Sequence, residues 1–223
     1  MPEKLVAAAL QKGVRLEISP FISTAPLRTT EVISEIEGIL QMQAAVVFTS
    51  VQAVEAVAAV MDNMLLPDWQ VFCIGEATRR RVEKFFGATV VMATAPDATQ
   101  LAAAILENEP GEELFFFCGD QRRPELPEIL SREGIELTEI VVYETLPLPH
   151  SLPSANYAGV LFFSPSAVAS FFKNNKLPEH CIAFAIGDTT ARDIRKFSNN
   201  LVVVSETPSK EALLDKALEI IAT

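Results

Sequence analysis

The sequence has few of the residues on which metal, redox and disulfide chemistry depend. Its only histidines are His150 and His180, and neither has a neighbour at metal-ligand spacing, so we expect neither a metal site nor a metal cofactor. Each of the three cysteines, Cys73, Cys118 and Cys181, stands alone inside an apolar segment. This pattern predicts buried free thiols in a reducing compartment.

Positive charge is also scarce. Lysine and arginine together number 18 against 29 aspartates and glutamates, which makes the formal net charge −11. A chain this acidic is repelled by the phosphates of nucleic acid and by an anionic membrane surface, so we expect neither as a partner. An anionic small molecule would have to be held by local hydrogen-bond donors.

Long apolar runs and nucleotide-binding glycine motifs are absent as well. The most apolar stretch, 44–61, is interrupted by Thr49, Ser50, Gln52 and Glu55, so no membrane span is predicted. The chain has no Gly-x-Gly-x-x-Gly and no Walker loop, which leaves a nucleotide-using enzyme as a weak alternative. The first four residues lack the layout of a signal peptide, and we expect a globular, soluble, cytoplasmic protein.

The strongest positive feature is an internal repeat. Residues 46–57 (VVFTSVQAVEAV) are echoed by residues 160–171 (VLFFSPSAVASF). In each copy a strand-like apolar run meets a hydroxyl-rich corner, after which a helical pattern begins. The corner supplies an N-cap hydroxyl where a new helix exposes unpaired N–H groups, which suits a carboxylate or phosphate. The same corner also serves simply to turn a strand into a helix, and both interpretations stay open.

The repeat continues beyond this corner. Further pairs at matching distances are 71–80 with 183–192 and 90–96 with 202–208, and 5–26 matches 126–147 in permuted order. A duplicated unit of this length indicates two similar domains and not a solenoid array.

Strands that alternate with helices of about a dozen residues predict an α/β fold with a parallel, helix-covered sheet. The permuted order predicts an inserted domain over 24–145 and a discontinuous domain made of 1–22 and 150–223, with linkers near 20–26 and 145–153. We expect a bilobal molecule whose strand-end corners collect in a cleft beside the linkers.

Four local predictions are specific enough to be checked. Alternation predicts a strand over 14–18, and periodicity predicts a helix over 52–62. A further strand is expected over 89–93, and the prolines of 145–153 predict a stiff, polyproline-like linker.

The ordered set of corners resembles the uroporphyrinogen-III synthase family. The resemblance lies in Phe-Thr-Ser and Phe-Ser-Pro-Ser, in Ile-Gly-Glu-Ala-Thr and Ile-Gly-Asp-Thr-Thr-Ala-Arg, and in Val-Tyr-Glu-Thr before the second linker, and it covers essentially the whole chain. It implies two flavodoxin-like or Rossmann-like domains joined by a two-stranded linker. It also implies a monomeric hydro-lyase of tetrapyrrole (haem, sirohaem, cobalamin) biosynthesis, which needs no metal or cofactor.

The implied reaction cyclises hydroxymethylbilane to uroporphyrinogen III with inversion of ring D and loss of water. Loss of the terminal hydroxyl gives an azafulvene, ring D attacks it, and a spiro intermediate fragments and recloses. Because the electron-rich pyrrole drives this chemistry, the protein's task is to position the substrate. The eight substrate carboxylates need many donors, which helix N-termini and hydroxyl groups supply.

The resemblance assigns candidate site residues. Tyr143 matches the family's cleft tyrosine, where a phenol would assist departure of the hydroxyl as a weak acid, or would serve as an aromatic plug. Gly75 would permit close approach of substrate or merely a tight turn. The substrate-binding candidates, of which the apolar ones act through backbone N–H groups, are Thr49, Ser50, Val51, Gln52, Gly75, Thr78, Ser164, Ser166, Ala167, Thr189 and Thr190.

Two departures from the family are expected to matter. The family opens with a strand whose counterpart here is 114–119, and the discontinuous domain is expected to lack its own copy. Cys118 stands where the family often has arginine, so an anionic contact would move to Arg122 or Arg123.

Alternatives from other classes are a non-catalytic bilobal protein that binds an anionic small molecule, and a domain that has lost activity.

Overall fold

The computed structural model describes residues 3–61, 66–109, 113–153 and 156–222. Its strands are β1 Ile22–Pro26, β2 Ala44–Phe48, β3 Trp69–Ile74, β4 Val91–Ala95, β5 Leu114–Gly119, β6 Leu137–Pro147, β7 Gly159–Phe162, β8 Ile182–Ala185 and β9 Val202–Val204. Its α-helices are α1 Glu3–Gln11, α2 Thr30–Leu40, α3 Val51–Ala58, α4 Glu76–Phe86, α5 Ala98–Glu107, α6 Glu125–Arg132, α7 Pro165–Asn174, α8 Asp188–Phe197 and α9 Lys210–Ile221.

The chain folds into two compact units. Unit 1 consists of Met1–Ser23 together with Leu146–Thr223, and unit 2 is Thr24–Thr145. Each unit is described by itself below. No helix in the described part of either unit is long and apolar enough to cross a bilayer.

The sheet that runs through unit 2 has the strand order β1-β6-β5-β2-β3-β4. The central strand β2 pairs in parallel with β3 on one side and with β5 on the other, and all five of its residues are buried. Full burial explains its unbroken apolar sequence, because helices cover both faces of such a sheet. One core, here called the aromatic cluster, packs under α2, α3 and α4 and contains Phe48, Trp69, Phe86 and Phe117. The opposite core packs under α5 and α6 and contains Phe72, Leu101 and Phe116.

Unit 1 contains the parallel sheet β7-β8-β9. One face is covered by α7 and α8, whose Val168, Phe171 and Ile194 pack with Phe162. On the other side α1 packs with α9 through Leu5 and Leu214. The helix-covered parallel arrangement is therefore present in both units.

The strand predicted over 14–18 is wrong, because these residues have no regular secondary structure. The apolar Val14 and Leu16 do pack against the α1–α9 core, but Ile18 is 58% exposed. A strand needs hydrogen bonds to a neighbouring strand, and alternation of side chains does not supply them. In unit 2 the matching segment, 135–139, runs into β6, which pairs with β5, whereas the described part of unit 1 has no strand that corresponds to β5.

Three predicted boundaries also differ. The helix α3 ends at Ala58, because Val60 and Met61 bond to the carbonyls three residues back and tighten the last turn; residue 62 lies outside the described residues. Residues Ala88–Val90 form a 3₁₀ turn, so β4 begins at Val91. Strand β6 continues to Pro147 beside β1, so the first part of the predicted proline-rich linker is strand.

The three cysteines are free and buried, as predicted. Burial raises the pKa of the Cys118 thiol to about 11, and the neighbouring Glu139 carboxylate adds to the increase. Burial alone raises the pKa of Cys181 to about 11. At neutral pH both thiols therefore hold their protons and behave as small apolar groups.

We expect these thiols to make the protein less stable in alkali. An unfolded thiol loses its proton near pH ~8.5, whereas these folded thiols keep theirs to about pH 11. Their contribution to stability is therefore complete below pH ~8.5 and falls as the pH rises through this window. Urea unfolding at pH 8 and pH 10.5 measures the loss, and the Cys118→Ala/Cys181→Ala variant should lose less; equal losses in both proteins would contradict the prediction.

Candidate functional site

The corner after β2 presents hydroxyls and amides together. Ser50 is the N-cap of α3, and its Oγ accepts a hydrogen bond from the N–H of Ala53 at 3.2 Å. The first-turn N–H groups of Val51 and Gln52 have no carbonyl within the helix to bond to. Thr49 and Ser50 are half-buried, so the corner remains accessible to a ligand.

The equivalent corner after β7 has fewer free donors. Ser164 caps α7 by accepting from the N–H of Ala167 at 3.2 Å, and its Oγ lies 3.1 Å from that of Ser166. Pro165 occupies the first helical position and has no N–H. The N–H of Ala167 is thus already engaged, so within the first turn the backbone donor is that of Ser166.

The two corners that begin with glycine are not capped by a side chain. Gly75 precedes α4 and Gly187 precedes α8, and neither helix has a side-chain cap hydrogen bond. Their first-turn N–H groups are therefore available to an external acceptor. Gly75 has φ of 82°, which other residues rarely adopt, and a β-carbon there would meet nothing within 4 Å. At Gly75 the structure therefore has both the tight turn and the open space that a close approach of substrate would need.

Two of the candidate hydroxyls are turned away from solvent. Thr78 is 4% exposed and Thr190 is 3% exposed. Each lies on the buried stripe of its helix, which continues through Val82 in α4 and Ile194 in α8. The third residue of each helix faces the sheet, so direct contact of these two hydroxyls with a ligand is not supported. Thr189, one position earlier, is exposed.

The basic outer face of α4 is paired with acids. Glu76 lies 3.2 Å from Arg80, Glu83 lies 2.8 Å from Arg79, and Arg81 lies 3.1 Å from Glu55 of α3. Exposed pairs of this kind contribute little to stability, and they offset the local positive charge. These charges therefore form a solvated outer face of α4.

One of the two arginines considered as a substitute anion contact is also paired. Arg122 forms an ion pair with Glu139, next to the neutral Cys118 thiol. Its charge is therefore largely neutralised within unit 2.

Tyr143 lies inside β6, opposite Gly119, the last residue of β5. Its side chain is half-buried and packs against the aromatic cluster, as an aromatic plug would. Among the described residues of unit 2, none forms a hydrogen bond with its hydroxyl. The phenol therefore has both a packed ring and a hydroxyl that is not committed within unit 2.

The structure brings the candidates together in two sets. In unit 2, β6, β5, β2 and β3 are successive parallel neighbours, and Tyr143 of β6 pairs with the last residue of β5, so Tyr143, the Thr49–Ser50 corner and Gly75 lie at one edge of the sheet. In unit 1, β7 and β8 are neighbours, so Ser164 and Thr189 lie at the corresponding edge.

Unit 1 also contains a cavity that the sequence did not reveal. Its volume is about 360 Å³, at the lower end of small-molecule sites. Its lining includes the Ser164 corner, the apolar Phe21 and Phe162, and the cations Arg15 and Lys210. Because the lining residues come from distant parts of the chain, no local pattern predicts them. In the part of the chain that the structure describes, no group of three or more histidine, cysteine or acidic side chains is placed to hold a metal ion.

The two serine caps yield a stability prediction. Ser50→Ala and Ser164→Ala should each lower the free energy of unfolding by about 1 kcal/mol, because the third N–H of the helix loses its acceptor. Thermal or urea unfolding measures the change, and Ser34→Ala, at an exposed serine inside α2 that caps no helix, is the control. Equal stability of all three variants would show that these hydrogen bonds contribute nothing.

Comparison with known proteins gives one consistent result. A family model described as "Uroporphyrinogen-III synthase HemD" matches residues 3–215. The uroporphyrinogen-III synthase of Saccharomyces cerevisiae is 30% identical over 128 residues, a match that covers 50% of this chain and 46% of the yeast protein. The chain thus spans about half the length of that relative.

Two solved structures are similar in fold. Uroporphyrinogen-III synthetase from Helicobacter pylori has a TM-score of 0.63 at 20% identity, covering 92% of this chain and 95% of its own. A mutant uroporphyrinogen III synthase from Thermus thermophilus has a TM-score of 0.55 at 17% identity, covering 97% and 93%. These likenesses confirm the predicted α/β class with mostly parallel strands.

Proposed function

The chain belongs to the uroporphyrinogen-III synthase family, and on that premise we propose that it cyclises hydroxymethylbilane to uroporphyrinogen III, with inversion of ring D and loss of water. The observation that carries the proposal is the family match over residues 3–215, which includes every candidate site residue. The product would serve tetrapyrrole biosynthesis.

We also propose that units 1 and 2 are two similar flavodoxin-like or Rossmann-like domains, the second inserted into the first. The boundaries of the two compact units, near residues 23 and 145, support this assignment. The segments 20–26 and 145–153 would form a two-stranded linker, which the neighbouring positions of β1 and β6 favour.

In this proposal the substrate carboxylates bind mainly to neutral donors. The uncapped N-termini after Gly75 and Gly187 offer several N–H groups each, and these carry the positive end of the helix dipole. The accessible hydroxyls belong to Thr49, Ser50, Ser164, Ser166 and Thr189. In a chain of net charge −11 such local donors are the means of holding a polyanion.

The unit 1 cavity supplies two cations near the Ser164 corner. Arg15 and Lys210 line it together with apolar side chains. A pyrrole ring that carries carboxylates combines these two surface types, so we propose that part of the substrate binds in this cavity. Lys210→Ala would then raise KM more than it lowers kcat.

Tyr143 is the proposed acid. As the pyrrole electrons expel the terminal hydroxyl, the C–O bond breaks, and the phenol donates its proton to the departing oxygen so that water leaves. The phenolate recovers a proton when the new ring loses one. Attack by ring D and the later fragmentation need no protein nucleophile, so the remaining contribution of the site is orientation.

The decisive test is a coupled assay with freshly generated hydroxymethylbilane. The type III isomer is separated from the type I isomer, which forms spontaneously. We expect the well-folded full chain to produce type III, and exclusive formation of type I would refute the activity. Binding of hydroxymethylbilane without turnover would instead favour the alternative, a non-catalytic protein that binds an anionic small molecule.

We further propose that the protein acts as a monomer in the cytoplasm, with this small molecule and no nucleic acid as its partner. The acidic charge supports the absence of nucleic acid. Sedimentation of the purified chain with and without RNA or DNA tests the monomeric state and the absence of nucleic-acid binding.

A further inference from the structure

We infer that Gly119 and Asp120 are positioning residues for Tyr143: the glycine leaves room for the phenol ring, and the aspartate holds the part of β6 that carries it. The inference rests on the role of Tyr143 in the proposed function. It concerns one strand junction within unit 2.

The phenol end of Tyr143 occupies the space where a side chain of residue 119 would stand. A β-carbon built on Gly119 would lie 2.6 Å from Cε2 and 2.7 Å from the hydroxyl oxygen of Tyr143, and it would also contact Cζ. Real β-carbons do not approach other atoms this closely, so any larger residue would displace the phenol. Because the obstructing atoms are the end of a side chain, the ring would swing aside while the backbone stays in place.

A β-bulge directs the tyrosine toward this position. Cys118 pairs with Val141, but Gly119 pairs with Tyr143, so one extra residue, Val142, lies in β6. Regular alternation would place Tyr143 on the same face as Val141. Instead both Val142 and Tyr143 pack against the aromatic cluster, whereas Val141 packs against the opposite core. A bulge re-aims a side chain in this way, and bulges often lie next to active sites.

Asp120 forms hydrogen bonds with β6 on both sides of residue 144. Its backbone N–H donates to the carbonyl of Tyr143 at 3.1 Å, and its carboxylate accepts from the N–H of Thr145 at 2.9 Å. The side chain is exposed, so it serves no packing role. Gly119 thus sets the position of the ring, and Asp120 sets the backbone from which the ring extends.

The first test is a double-mutant cycle on the full chain. Gly119→Ala should lower kcat for type III formation by roughly tenfold or more and change KM less than about twofold, because misplacing a catalytic group by about 1 Å can cost on the order of a hundredfold. In a Tyr143→Phe background the same change should lower kcat no further. Both backgrounds keep the ring, so Gly119→Ala costs the same stability in each. If Gly119 had a merely structural role, the substitution would lower kcat equally in both backgrounds, and that result would overturn the inference.

The second test uses Asp120, whose replacement leaves the core intact. Asp120→Ala should lower kcat, and Asp120→Asn should restore most of it, because the amide oxygen can still accept from Thr145. Gly38→Ala is the matched glycine control: Gly38 is exposed on α2, and a β-carbon there meets nothing. No decrease in kcat for Asp120→Ala would contradict the role of Asp120.

A readout that needs no activity separates this inference from the proposed function. The chain has two tyrosines, so in a Tyr157→Phe background the ring-labelled NMR signal of Tyr143 stands alone. Gly119→Ala and Asp120→Ala should shift or broaden that signal, and Gly38→Ala should not. If the signals are unchanged, the positioning role is overturned even when the enzyme is active. If the signals shift but the protein makes no type III product, the missing product refutes the proposed function, and the positioning role still stands.

Discussion

Tyr143→Phe is expected to lower kcat for type III formation by roughly ten- to a hundredfold. General acids contribute about 10²–10⁴-fold, and the electron-rich pyrrole supplies part of the driving force here. The variant keeps the ring that packs against the aromatic cluster and loses a hydroxyl that forms no hydrogen bond within the described part of unit 2. The melting temperature should therefore change little. Steady-state assays and thermal melts of the same preparation measure both effects.

Tyr157→Phe is the matched control for this experiment. Tyr157 belongs to unit 1, where it lines the cavity, and its hydroxyl donates to Glu17 at 3.0 Å. Because the hydroxyl of Tyr157 has no part in the proposed proton transfer, its loss should raise KM at most and leave kcat close to that of the unaltered protein. A Tyr143→Phe variant that is as fast as this control would show that Tyr143 is an aromatic plug and nothing more.

Trp69→Ala should produce the largest loss of stability. Trp69 is 3% exposed, and its ring centroid lies 5.3 Å from that of Phe86 and 5.8 Å from that of Phe117. Its indole N–H also donates to the carbonyl of Ile39 at 3.0 Å. Removing so large a buried ring leaves a cavity and deletes this hydrogen bond, which together cost about 3–5 kcal/mol of the free energy of unfolding.

Urea unfolding followed by circular dichroism measures this loss, since the substitution removes the only tryptophan. Leu201→Ala, at a position that is 63% exposed, should change stability by less than ~0.5 kcal/mol. Trp69→Phe should fall between the two, because it keeps a ring and loses the donor. A loss under about 1 kcal/mol for Trp69→Ala would show that the aromatic cluster is not the main core of unit 2.

Local features of the site could be predicted from the sequence. Ser50 and Ser164 stand as N-caps as their corners indicated, because a cap bonds to an N–H only three residues away. The apolar run of β2 also predicted a buried parallel strand, because a strand that is buried on both faces has no polar position in its sequence.

Features that depend on a distant partner were missed. The alternation of residues 14–18 looks like that of β6, yet only β6 has a strand beside it. Thr78 and Thr190 follow glycine corners as expected, but the orientation of their helices on the sheet buries both hydroxyls. The closeness of Gly119 to Tyr143 depends on pairing between residues 24 positions apart in the chain. It also depends on a bulge that the sequence pattern of neither strand predicts.

By itself the sequence determined the repeated order of strand, hydroxyl corner and helix, and with it the α/β class and the family, because these follow from side-chain periodicity and from hydrogen bonds between near neighbours. Only the tertiary structure decided which hydroxyls stay accessible, which amides stay free and where the Tyr143 phenol lies. Those outcomes depend on the packing of segments far apart in the chain, where a single extra residue in one strand changes the direction of a side chain.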